Sequence, residues 1–327
     1  MILIHLKRQV ICYMSYYYRH CYSLFLKWAY IHINLNDRWF GMINMNSRVL
    51  ATTIYRSDQL RDPRMPDWSI KPIPSIRSYF KSAPSNKFRG NIVAYEQVEA
   101  VESKFERAVF FPETCPTLSF YCGPSTPFAY FVGPITKPVT FTSMKKGTYF
   151  FVTFSPGQLF PLSLIPLNTI RNTWIPTDQL MSFDWDSILA TISQAKNFFD
   201  RVMIWESYFS EFYRWNKKIV PSWIHQAIKF ISNHSDQCSD KQLSKYLGYS
   251  NRHIRNEFYK YAGISPRTFI RTVKYKRALY YLSRDPNQNM SALSQDLGYY
   301  DQSHFINEFS NFTGLTPFQF IVQYLTT

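Results

Sequence analysis

Apolar positions in the last third of the chain recur at helical spacing, and they do so twice. From Leu243 the sequence reads LSKYLGYSNRHIRNEFYKYAGISPRTFI, and from Leu293 it reads LSQDLGYYDQSHFINEFSNFTGLTPFQFI. Leu243/Leu293, Ser244/Ser294, Leu247/Leu297, Gly248/Gly298 and Tyr249/Tyr299 match at an offset of fifty. After one inserted residue, Glu257/Glu308, Phe258/Phe309, Gly263/Gly314, Pro266/Pro317, Phe269/Phe320 and Ile270/Ile321 match at fifty-one. A repeat of fixed period sets the architecture before any other signal does. Each copy predicts a short amphipathic helix, a glycine turn, and a second helix capped by Ser250 or Asp301. In the first copy Ile254, Phe258 and Tyr261 share the inward face; Arg252, Arg255, Asn256 and Tyr259 share the outward one, with Asn251 at the start. In the second copy Phe305, Phe309 and Phe312 point inward, and Gln302, Ser303, Ile306, Asn307 and Ser310 outward. Each unit closes on Gly263-Ile264-Ser265-Pro266 or Gly314-Leu315-Thr316-Pro317. There the glycine ends one helix, Ser or Thr caps the next, and Pro takes its first position.

Upstream the pattern changes. Short apolar runs broken by Pro and Gly predict strands over 91–101, 105–111, 117–121, 128–132, 139–141 and 148–154. Such spacing predicts a small barrel or sandwich. Helices are expected over 160–164 and within 185–215, where interleaved aromatics mark packing surfaces. Pro221 opens the last domain, whose first helix buries Ile224, Ala227, Ile228 and Ile231. A connecting helix runs from Ser265-Pro266 to just before Pro286, with Phe269, Val273, Ala278 and Leu282 inward. The expected fold class is α+β: a small β-barrel followed by an all-α domain of two helix-turn-helix units. The expected divisions are an extension over 1–64, a β-rich sensor or dimerisation domain over 65–183, a helical linker over 184–218, and the helical domain over 219–327. The Tyr-rich extension shows no clean period, and Arg19, His20 and Lys27 interrupt any run long enough to span a bilayer. It lacks a small-residue cleavage site, and Met42 or Met65 is a candidate working start.

The doubled motif resembles the AraC/XylS DNA-binding domain. The resemblance is carried by Leu247-Gly248-Tyr249-Ser250, His253, Phe258, Gly263 and Ser265-Pro266, and then by Leu297-Gly298-Tyr299, Asp301, Ser303, Phe305, Phe309, Gly314 and Thr316-Pro317. It implies two recognition helices in the DNA major groove, joined by one long helix. Arg252 and Asn256 fall on base-contacting positions of the first, and Gln302, Ser303 and Asn307 on those of the second. The family favours Arg or Lys where Asn307 stands. The resemblance also implies RNA polymerase as a partner, with activator and repressor roles both open. More loosely, FPETCPTLSFYCG, VGPITKPVTF and FSPGQLFPL resemble the cupin-like N-terminal domain of AraC-type regulators, which would sense a small-molecule effector or form a homodimer.

Charge refines this picture. The chain of 327 residues carries a formal net charge of +15, which favours an anionic partner. Residues 220–284 hold twelve Lys and Arg against three acids, whereas 285–327 hold no Lys or Arg and four acids (Asp285, Asp296, Asp301, Glu308). Phosphate attraction supplies much of DNA affinity. It is therefore expected from the first unit and from Arg267, Arg271, Lys274, Lys276 and Arg277 of the connecting helix. Arg252 and Arg255 suit guanine, and Asn256 suits adenine, at about 1–3 kcal/mol of discrimination each; each arginine is also a candidate phosphate contact. Tyr259 lies on the same face, and Ile306 suits a thymine methyl. His253 and His304 are expected near the core.

Five cysteines, at 12, 21, 115, 122 and 238, form neither a disulfide framework nor a CxxC pair. A reduced, cytoplasmic protein is expected, with no membrane role, no metal and no cofactor. The histidines all lie outside the barrel, which argues against a His-ligated catalytic metal there. Glu96, Glu99, Glu102 and Glu106 read as solvated rather than catalytic, and Cys115 and Cys122 as buried. The competing class, an enzyme or DNA-repair protein targeted to DNA, would need a Cys-rich zinc cluster or a Pro-Cys-His-Arg nucleophile site, and neither occurs. Unselective DNA packing would need basic residues in both units.

Overall fold

The computed structural model describes residues 76–101, 103–180, 183–215 and 218–325. The expected extension over 1–64 lies outside these residues, as does Glu102. The strands are β1 (Ile76–Ser82), β2 (Ile92–Ala100), β3 (Ser103–Phe110), β4 (Thr117–Cys122), β5 (Phe128–Val132), β6 (Val139–Met144), β7 (Gly147–Phe154) and β8 (Trp174–Pro176). Six of them form one antiparallel sheet in the order β1-β2-β7-β4-β5-β8, while β3 and β6 pair separately. The expected barrel is therefore an open sheet with a separate ribbon: β1 and β8 are edges and do not pair with each other. β1 and β8 have no counterpart in the sequence reading, because neither alternates cleanly and β8 ends on proline.

Three helices follow: α1 (Thr177–Leu180), α2 (Trp185–Gln194) and α3 (Phe198–Trp215). One face of the sheet supplies Tyr95, Leu118, Phe120, Phe131, Phe150, Val152 and Phe154, and the helices cover it with Trp185, Ile188, Ile192, Trp205 and Phe209. Aromatic edges lock this layer: Phe120 meets Trp205 at 5.7 Å and Phe154 meets Phe209 at 5.9 Å between centroids. Each such pair adds about 0.5–1.5 kcal/mol beyond its buried area. Glu96 is a correction to the sequence reading, since it is buried rather than solvated. It accepts from the Tyr79 hydroxyl and pairs with Lys81 at 3.5 Å.

The helical part comprises α4 (Ser222–His234), α5 (Asp240–Leu247), α6 (Asn251–Ala262), α7 (Pro266–Arg284), α8 (Met290–Asp296), α9 (Gln302–Thr313) and α10 (Pro317–Phe320). The cap chemistry is as the sequence predicts. Ser250 and Asp301 accept the backbone N–H of His253 and His304; Ser265 and Thr316 do the same for Thr268 and Gln319. Gly248, Gly263 and Gly314 take left-handed φ at the C-caps of α5, α6 and α9. Two cores result. Ile224, Ile231, Leu243, Ile254, Phe258 and Phe269 fill the first, and Tyr275, Leu279, Leu293, Phe305, Phe309, Phe312 and Phe320 the second. Among the described residues, no helix is long and apolar enough to cross a membrane.

The connecting helix α7 has 19 residues, a rod of roughly 28 Å. Its cations are turned to holding the units together. Arg271 forks onto Glu308 of α9, Nε to Oε2 at 2.5 Å and Nη2 to Oε1 at 3.0 Å. Lys274 donates to the carbonyls of Gly298 (2.8 Å) and Asp236 (3.4 Å), and burial holds its ammonium below the ordinary value. Arg277 donates to Ser235 and Asp236. Between the units, the Gly298 backbone lies on Asp236 so closely that an added Cβ would stand 1.7 Å from the Asp236 carbonyl oxygen.

The β-rich part grips both units. Phe111 leaves the end of β3 and enters the second core against Phe320 and Tyr324. Two residues on, both carboxylate oxygens of Glu113 accept from Lys276 at 2.5 Å, with side chains only 16% and 12% exposed, and Oε1 also accepts the Cys115 N–H at 3.0 Å. Against the first unit, Phe160 packs on Tyr261 at 4.6 Å, Gln158 meets His225, and the Leu167 carbonyl abuts Gly263. Burial lowers the His225 pKa, so the ring stays neutral at neutral pH.

Two outcomes test this arrangement in thermal unfolding. Gly248→Ala, with open space at its Cβ, should cost about 1 kcal/mol for left-handed backbone alone. Gly298→Ala should cost about 3 kcal/mol, because overpacking adds to that strain; equal losses would mean the units do not touch at Asp236. Arg271→Ala should cost about 2 kcal/mol by stranding Glu308. A double-mutant cycle with Glu308→Ala should return coupling above about 1 kcal/mol, and additivity would refute the fork.

Candidate nucleic-acid interface

Helix α6 supplies the outward face of the first unit. Its inward positions, Ile254, Phe258 and Tyr261, are buried, and that fixes the opposite face toward solvent at 3.6 residues per turn. Asn251, Arg252, Arg255 and Asn256 are exposed, and Tyr259 is half-buried. All five line one open groove of about 800 Å³, bounded by Asp240 and Leu243 of α5 and by Ser265, Pro266 and Arg267 at the start of α7. Three guanidiniums, Arg252, Arg255 and Arg267, thus face a single acid, Asp240, across this groove. Their fork geometry suits paired bonds to base edges or phosphates, while Asn256 offers a donor and an acceptor together. The rings of Tyr249, Trp223 and His253 cluster at a tilt beside the helix start, with Tyr249–His253 centroids 4.9 Å apart.

Helix α9 presents the second face. Gln302, Ser303 and Asn307 are exposed, whereas Ile306 is half-buried against the second core. No cation stands on this helix. Glu308 is matched by Arg271 from α7, and the carboxylate of Asp301 accepts the His304 N–H at 2.7 Å.

Of the twelve residues singled out from sequence, the groove at α6 gathers six: Asn251, Arg252, Arg255, Asn256, Tyr259 and Arg267. Gln302, Ser303, Ile306 and Asn307 sit together on α9. Arg271 and Lys274 are engaged by Glu308, Gly298 and Asp236. Lys276 and Arg277, also expected to face phosphate, are engaged by Glu113 and Asp236. His253 and His304 are exposed rather than near the core, each beside the tyrosine of its own turn. Asp240 was missed by the sequence reading. Its signal was its place at the first position of α5, next to the Ser239 cap, where an acid is favoured by the helix dipole.

Residues 243–322 match the family model described as a helix-turn-helix domain, and residues 81–176 match a domain of unknown function, DUF6597. No curated protein matches the sequence. Among solved structures the chain is similar to ToxT from Vibrio cholerae, at 10% identity and a TM-score of 0.40, covering 77% of this chain and 100% of that one. It is similar to the C-terminal domain of AraT, a response regulator from Geobacillus stearothermophilus, at 17% identity and a TM-score of 0.31, covering 34% of this chain and 92% of that one. The transcriptional regulator CdpR from Pseudomonas aeruginosa is similar at 16% identity and a TM-score of 0.27, covering 54% of this chain and 45% of that one. With the matched model lying over two capped, glycine-closed units, the C-terminal part of the chain is a double helix-turn-helix domain.

Proposed function

We propose that this protein is a sequence-specific DNA-binding transcriptional regulator, working in the cytoplasm and reading duplex DNA through α6 and α9. The observation that carries the reading is the groove at α6, where Arg252, Arg255, Asn256 and Arg267 converge on solvent. In this reading Arg252, Arg255 and Asn256 read bases, Asn251, Tyr259 and Arg267 contact the backbone, and Gln302, Ser303 and Asn307 read the second site. Ile306, half-buried, offers an apolar edge to a thymine methyl. Arg271 and Lys274 act indirectly, by holding α9 against α7. RNA polymerase as a partner and a small-molecule effector for the β-rich part belong to the same reading and rest on the family resemblance alone.

A dimerising role for the β-rich part has an observation of its own. Helix α3 leaves Phe199, Met203 and Tyr213 at 50%, 71% and 42% exposure, large apolar groups that a monomer gains nothing by showing to water. In this reading 65–183 forms the sensor or dimerisation domain, 184–218 the helical linker that carries this apolar face, and 219–327 the reader.

Selection of operators from random duplex, followed by a salt titration in gel shift, tests the DNA reading. Arg252→Ala should weaken binding by about 1–3 kcal/mol and reduce the salt slope by about 1. Gln302→Ala should relax sequence preference at its own base pair and leave the slope unchanged. A chain that selects no sequence, or equal slopes for the two variants, would remove the assignment. For the dimer contact, Met203→Glu should shift sedimentation from dimer to monomer; an unchanged sedimentation coefficient counts against it.

A further inference from the structure

The change of offset in the repeat, from fifty to fifty-one, falls at a single residue. Both turns keep a left-handed glycine, Gly248 at φ 74° and Gly298 at φ 69°. Both recognition helices keep a cap just before them, Ser250 and Asp301. Between glycine and cap the first unit has Tyr249 alone, while the second has Tyr299 and Tyr300. Tyr299 takes the place of Tyr249: it is buried, beside His304 and Phe305, as Tyr249 lies beside His253. Tyr300 is therefore the added residue. At 92% it is the most exposed large apolar side chain among the described residues, and it flanks the start of α9.

We propose that Tyr300 is a DNA-contact residue of the second unit, its phenol O–H donating to a phosphate oxygen at the edge of the groove that α9 enters. This rests on the DNA-binding reading above. Residues 285–327 contain no Lys or Arg, so the second unit has no cation of its own to seat it on the backbone. Its helix start carries instead the Asp301 carboxylate, which repels phosphate while it accepts the His304 N–H. A neutral donor projecting beyond that carboxylate meets the need. Tyrosine is among the side chains that contact phosphate, and such contacts fix register rather than read sequence. The first unit has arginines at its groove and no inserted tyrosine. A protein partner for the same ring would be the alternative, but the neighbours Gln302, Ser303 and Asn307 are small polar groups suited to base edges and not an apolar docking surface.

The test uses the full chain on its selected operator. Tyr300→Phe removes only the hydroxyl, and Tyr300→Ala removes the ring as well; neither should alter the melting temperature, since the side chain is in water. Tyr300→Phe should weaken binding by about tenfold, the equivalent of one hydrogen bond to a charged group, and Tyr300→Ala at least as much. The salt slope should stay at the wild-type value, because a phenol releases no counterion. Phosphate-ethylation interference should lose one position, on the side of the site covered by the second unit. Wild-type affinity in both variants, or equal binding with lost transcription in a reconstituted assay, would overturn the assignment and give the ring to a protein partner. Arg252→Ala separates the two levels. If it too leaves binding unchanged on a chain that prefers no sequence, the DNA reading itself falls and Tyr300 with it.

Discussion

The architecture depends on where the cations of α7 point. A helix carrying Arg267, Arg271, Lys274, Lys276 and Arg277 looks from sequence like an electrostatic rail for a phosphate backbone. Four of these five are turned inward onto Glu308, Gly298, Asp236, Ser235 and Glu113. The physical reason is burial: α7 lies between the two cores and contributes Phe269 and Ile270 to one, Tyr275, Ala278, Leu279 and Leu282 to the other. A rod wedged on both sides has little surface left for free charge. Cations that are desolvated need partners, and the nearest are the carbonyls and carboxylates of the flanking turns. Charge that looked like affinity is thus geometry.

The two units are alike locally and unlike in context. Gly263 and Gly314 end equivalent helices with φ of 76° and 74°, yet an added Cβ at Gly263 would meet the Leu167 carbonyl at 2.8 Å, whereas Gly314 faces open space. Gly298 rests on Asp236 while its counterpart Gly248 touches nothing within 4 Å. Local backbone demands made the glycines repeat; tertiary contact then recruited one of each pair. Gly263 is held by the β-rich part and Gly298 by the first unit, so the loops that join helices also join layers.

These differences mark how far the sequence was legible. Helical period, caps and glycine turns are local signals, and they located α4 to α9 and the outward faces of α6 and α9. The strands from β2 to β7 were legible for the same reason. Glu113 and Lys276 stand 163 residues apart, and no local pattern announces such a pair. Phe111 read as the end of a barrel strand, but its ring belongs to the second helical core. Strand spacing predicted a small barrel or sandwich, and it does not fix whether the sheet's edges meet. Five of the six groove residues lie on α6 and were legible from one helix period, and Arg267 was legible as a cation of the connecting helix; the engagement of Arg271, Lys274, Lys276 and Arg277 was not, because it follows from packing.

On the DNA reading, this rigidity compensates for a poorly charged second unit. Arg252, Arg255 and Arg267 supply attraction at the first groove, and Lys241 and Lys245 stand exposed on the neighbouring helix. Once these seat the first unit, α9 arrives at its own site already oriented by α7, by Gly298 on Asp236, and by Phe111 and Glu113. The second contact is then effectively intramolecular, so it avoids most of the translational and rotational cost of a separate association. Neutral groups such as Gln302, Ser303 and Asn307 can discriminate bases under those conditions without adding long-range attraction. A free second unit with four acids and no Lys or Arg would be held off the duplex by its own charge. Held by the strut, it contributes selectivity at little cost in speed, because electrostatic steering is already complete when it makes contact.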